Sequence, residues 1–84
     1  MKQVTLYWRK NCSLCHKALD VIEQVRERHD FEFRLVDIDH EMDPKDPRHS
    51  RFAIGVPVVE IDGRQVFEHT VDADELTRLV SGAG

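Results

Sequence analysis

The chain's two cysteines, Cys12 and Cys15, stand three positions apart, and that spacing admits three kinds of chemistry. A structural disulfide would close a loop of only four residues, which restricts an unfolded chain little. Disulfide-stapled small domains also need more pairs, spread along the sequence. Metal or haem ligation is the second kind. Cys12-Ser13-Leu14-Cys15-His16 spells the c-type haem attachment pattern, with His16 as the axial ligand. Met42 is the internal methionine for a sixth position, in an acidic, proline-containing stretch. A zinc site would have to draw Cys15 and His16 together, although neighbouring helical side chains point ~100° apart. The third kind is dithiol exchange, in which one thiolate attacks a disulfide and the other releases the product. The elements that hold the pair decide among these.

Val4 to Trp8 is β-branched and aromatic, stops at the polar Arg9-Lys10-Asn11, and predicts a strand. From Cys12 to about Arg28, Leu14, Ala18, Ile22 and Val25 recur in steps of four, four and three. An amphipathic helix with these residues inward is expected, with Asn11 as N-cap and Ser13 as the alternative. Phe31, Phe33 and Leu35 alternate with charged residues and lead into Val36 and Ile38, a second strand. Asp39 to Pro47 is polar and reads as a loop. Asp46-Pro47 then suits an N-cap and first helical position, opening a short helix that Gly55 stops. Val56 to Ile61 predicts a third strand. Asp62-Gly63 is a two-residue hairpin signal, with Gln65 to Glu68 returning. Asp72 followed by Glu75 forms a capping box for a last helix with Leu76, Leu79 and Val80 inward, and Ser81 to Gly84 should fray.

This order places the cysteines at a strand-to-helix junction. Free backbone N–H groups and the helix dipole favour a thiolate there, and Arg9 and Lys10 add positive potential. Cys15 lies about one turn deeper, within reach of the first sulfur. Cys12 is accordingly the expected nucleophile and Cys15 the resolving thiol. His16, four residues beyond Cys12 on the same helical face, is either a plain surface residue or a further cation for that thiolate.

Four features together resemble the thioredoxin-fold superfamily, above all its small glutaredoxin-like proteins. They are Leu6-Tyr7, Cys12-Ser13-Leu14-Cys15, Gly55-Val56-Pro57, and the Asp62-Gly63 hairpin before a terminal helix. The resemblance implies an α/β thioredoxin fold in its minimal βαβαββα form, a four-stranded mixed sheet flanked by helices. It implies a cis Pro57 facing the cysteines and a Val56 backbone that pairs with substrate as an added strand. It also assigns substrate binding to Lys10 or Arg9 and to the acidic Asp74. Departures matter. Glutaredoxins place proline and an aromatic between the cysteines, threonine before Val-Pro, and a glycine pair before the last helix. This chain has Ser13 and Leu14, Gly55, and Val71-Asp72. Losing those glycines crowds the approach of a ligand to the backbone. The departures weigh against glutathione as co-substrate and leave a thioredoxin-reductase-like electron donor open.

Composition bounds the rest. At 84 residues the chain is one expected domain and monomer. Twelve basic against 16 acidic residues leave a net charge of −4, without the excess that duplex nucleic acid requires. No apolar run approaches a membrane span, and the first residues hold no signal-like apolar stretch, so a cytoplasmic setting is expected. Protein or small disulfides are the expected partners, with no bound cofactor, since the two sulfurs carry both electrons. A non-redox binding module on the same fold is the alternative outside chemistry.

Overall fold

A computed structural model describes residues 1–81. Eight elements follow in order: β1 (Gln3–Trp8), α1 (Ser13–Arg26), β2 (Glu32–Asp37), α2 (Ile38–Glu41), α3 (Pro47–Gly55), β3 (Val58–Ile61), β4 (Arg64–Glu68) and α4 (Ala73–Val80). The strands form one sheet in the order β2-β1-β3-β4. β1 and β2 run parallel, Gln3 opposite Glu32 through Trp8 opposite Asp37, because α1 carries the chain across between them. β3 lies antiparallel to β1, with Tyr7 opposite Val58, and β4 antiparallel to β3.

Strand alternation divides the core between the two faces of the sheet. Val4, Leu6, Val59 and Ile61 meet Ala18, Ile22 and Val25 of α1 and Leu76 and Val80 of α4 on one face. Tyr7, Val36 and Val58 meet Ile38, Met42 and Phe52 on the other, where α2 and α3 pack. The expected architecture is the observed one.

Several boundaries differ, each for a local reason. Asp37 caps the four-residue α2 by accepting from the Asp39 N–H at 2.9 Å, so Ile38 leaves the strand and the expected loop begins as a helix. Gly55 is the last residue of α3 rather than its stop. The Val56 N–H donates to the Phe52 carbonyl at 2.8 Å, and β3 starts only at Val58. α1 begins with Cys12, not Asn11 or Ser13, as its N-cap and ends at Arg26. Its inward residues are Cys15, Ala18, Ile22 and Val25, while Leu14 is 43% exposed. Asp72 caps α4 through the Asp74 and Glu75 N–H groups, but the Glu75 carboxylate pairs with Arg78 instead of closing the box. The Asp62-Gly63 turn forms as expected, with φ of 52° and 84°. The expected fraying at the C-terminus concerns residues 82–84, which lie outside the described residues.

Candidate active site

Three connections converge at the C-terminal edge of β1. Tyr7 stands opposite Val58, and Val58 opposite Glu68. The residues after Tyr7, before Val58 and after Glu68 therefore share one edge of the sheet. The first connection leads directly into the cysteines.

Cys12 has extended φ and ψ of −119° and 111°, the conformation of an N-cap, and its Sγ accepts the Cys15 N–H at 3.2 Å. Its carbonyl accepts the His16 N–H at 3.1 Å, the first turn of α1. The cap role that serine or aspartate usually fills is taken by a sulfur, which receives one of the helix's free N–H groups. Cys12 is half-buried, whereas Cys15 has no exposed surface, and both are thiols. Burial is the main cause that pushes the Cys15 thiol up to about 12, and its hydrogen bond with Cys12 adds to that. The pair is thus asymmetric: one sulfur at the surface on a helix start, the other protonated in the core behind it.

The loop before Cys12 is fixed from two sides. The His16 Nε2 lies 2.8 Å from the Lys10 carbonyl, which only accepts, so that nitrogen carries the proton and donates. The His16 ring also meets Trp8 edge-on, with centroids 4.8 Å apart. The role this assigns to His16 is to clamp the loop to the helix. Arg9 reaches across to α2, its Nε and Nη2 each 3.1 Å from the Asp39 carboxylate, and donates to the Ala53 carbonyl at 3.4 Å. Arg9, one of the two expected substrate cations, thus forms a partly exposed ion pair with Asp39. Lys10 is exposed on the same loop.

The second connection holds Val56 and Pro57, joined by a cis peptide bond as the resemblance implies. The Val56 N–H already closes α3. Pro57 is fully buried, and its carbonyl accepts the His69 N–H at 2.8 Å. The third connection supplies residues that sequence reading passed over. His69 sits at φ of 70°, uncommon for a residue other than glycine, and its N–H also reaches the Gly55 carbonyl at 3.3 Å. Glu68 lies across Gly55, where a β-carbon would meet its Cδ and Oε2 at 3.4 Å, an ordinary van der Waals contact. Beyond these residues Val71 packs towards α1.

Asp74 is not brought to this edge. It lines a hollow with Gln24, Arg28 and His29 at the far end of α1, about 18 Å along the helix from Cys12. The haem arrangement is also overturned. Cys15 lies in the core with no surface for a thioether bond, and the His16 Nε2 is bound to Lys10 rather than free for iron.

A family model, the glutaredoxin-like domain (DUF836), matches residues 3–81. The chain belongs to that family. A curated relative, the glutaredoxin-like protein YDR286C homolog of Dictyostelium discoideum, is 32% identical over 76 residues, covering 87% of this chain and 69% of that protein. Among solved structures, target protein XcR50 from X. campestris is 29% identical with a TM-score of 0.71, covering 96% of this chain and 99% of its own. A thioredoxin from Halobacterium salinarum is 25% identical with a TM-score of 0.67, over 94% of this chain and 71% of that one. The thioredoxin fold is thereby shown, and at family level a thiol-redox type of role. This glutaredoxin-like chain keeps Cys12 and Cys15 close together at a helix start.

Proposed function

We propose that this protein is a thiol–disulfide oxidoreductase acting by dithiol exchange. One observation carries the reading: a half-buried Cys12 whose sulfur caps α1, hydrogen-bonded to the backbone of a fully buried Cys15. The Cys12 thiolate attacks one sulfur of a substrate disulfide, and the other substrate sulfur leaves as a thiolate that takes up a proton. Cys15 then gives up its proton and attacks the Cys12 sulfur of the mixed disulfide. The second substrate thiolate leaves, and the protein ends with a Cys12–Cys15 disulfide. Two electrons and two protons have passed to the substrate, and no bound cofactor takes part.

An external thiol or dithiol must reduce the protein again. The reading favours a thioredoxin-reductase-like donor over glutathione, because Arg9 is held by Asp39 and Val71-Asp72 stand in place of a glycine pair. A reducing compartment such as the cytoplasm suits this cycle. In the test, Cys15→Ser accumulates a mixed disulfide through Cys12, seen by mass spectrometry, and Cys12→Ser abolishes reduction of a model disulfide. Full activity in Cys12→Ser would sink the mechanism. Regeneration by glutathione with its reductase is compared against thioredoxin reductase, both with NADPH, and faster turnover is expected with the latter.

A further inference from the structure

His16 completes the Cys12-Ser13-Leu14-Cys15-His16 pattern, yet the two-step exchange gives it no task. Its place in the fold is specific all the same. Lys10 and Asn11, the turn that delivers the chain to Cys12, make no main-chain hydrogen bond to another main-chain group among the described residues. The Lys10 carbonyl is met instead by the His16 Nε2–H, at 2.8 Å. The main-chain N–H of His16 donates to the Cys12 carbonyl at 3.1 Å, so one residue grips the chain on both sides of Asn11. Trp8 meets the imidazole edge-on, at 4.8 Å and 64°, and itself packs against the core on the α1 face.

Cys12 serves as an N-cap only while its backbone stays extended and its sulfur stays on the Cys15 N–H, at 3.2 Å. A turn without main-chain bonds of its own is free to sample other conformations. Each departure takes the sulfur off the free N–H that favours its thiolate. The same departure carries the sulfur of a mixed disulfide away from Cys15. We infer that His16 is a positioning residue for Cys12: by donating to the Lys10 carbonyl it holds the sulfur at the start of α1 for attack and beside Cys15 for release. It acts as a donor and not as a charge, because the Nε2 proton is present on the cation and, in this tautomer, on the neutral ring. This rests on the exchange reading and adds to it a residue that works through the Lys10 carbonyl rather than on the sulfur.

Glutamine places an amide nitrogen about where the histidine Nε2 lies, the nitrogen of asparagine falls a bond short, and neither side chain is charged. His16→Gln and His16→Asn are therefore compared with wild type in two assays. One is alkylation of Cys12 by iodoacetamide across pH, read by mass spectrometry, and the other is reduction of a model disulfide. His16→Gln keeps the donor and should stay within about twofold of wild type in both. His16→Asn should slow both about fivefold near pH 7, the worth of one hydrogen bond, and move the alkylation profile to higher pH. His16 is exposed on α1, so both variants should fold, and urea unfolding sets conditions in which each is native. Asparagine as fast as glutamine overturns the inference. If both match wild type, His16 is a surface residue; if both are slow, its charge is the cause. Reduction that survives in Cys12→Ser strikes the exchange reading instead, and the alkylation rates, which need no exchange, still judge the clamp.

Discussion

Cys15 loses its proton only by placing a charge where no water reaches it, which is why its thiol is pushed up to about 12 while an unfolded cysteine titrates near 8.5. Below about pH 8.5 the folded and unfolded chains both keep this proton, and the group leaves stability unchanged with pH. Above it, the unfolded chain releases the proton and the folded chain holds it, so stability falls as pH rises towards about 12. Urea unfolding of the reduced protein, followed between about pH 8 and 10, should show a decline of at most about 1.4 kcal/mol per pH unit from this source. Cys15→Ala should unfold with a flatter pH profile than wild type; equal slopes would remove burial as the cause. The two cysteines were legible in the sequence because a strand signal and a helical repeat meet at them. Arg9 was not: the carboxylate that holds it is Asp39, 30 residues away, and nothing near Arg9 announces it.

At the scale of elements, short polar segments were the ones misjudged. Four residues make too little of α2 to display a period, and the cap at Asp37 is hidden among other acidic residues. The Asp62-Gly63 hairpin, by contrast, is written in two residues. Both have positive φ, and Asp62 is further fixed to β1, with its Oδ1 accepting from the Gln3 N–H and its own N–H donating to the Gln3 carbonyl, each at 2.9 Å. Apart from Gly63 itself and its chain neighbours, no atom lies within 4 Å of where a Gly63 β-carbon would sit. Gly63→Ala therefore meets no clash and suffers only the left-handed backbone cost, about 1 kcal/mol. Gly63→Asn should cost less, because asparagine tolerates that region. Thermal melts of both variants check the order, and alanine no worse than asparagine would remove the strain argument. α4 shows the opposite limit. Its start was legible from Asp72, but that Asp74 faces the far end of α1 follows from how α4 packs, which no local signal contains.

The sheet of the whole molecule is covered differently on its two sides, and that decides how damage spreads. α1 and α4 close one face with a larger set of buried residues, while the other depends on Phe52, backed by Tyr7 with ring centroids 4.8 Å apart. Phe52 belongs to α3, whose last turn accepts the Val56 N–H and so sets where the cis-proline segment begins. Losing this ring removes the main anchor of one face and the support of one side of the active edge together. Phe52→Ala should cost about 3–5 kcal/mol, a large share of the roughly 5–15 kcal/mol available to a domain, and should leave much of the protein unfolded at moderate temperature. Phe52→Leu keeps more of the volume and should cost less, preserving the fold. In that variant Cys15 keeps its place on α1, whose buried Ala18 and Ile22 belong to the other cluster. Alkylation of Cys15 under native conditions should then stay slow while hydrogen exchange quickens in α3. Equal loosening of both regions would mean that the two faces unfold as one unit and that the sheet does not separate them.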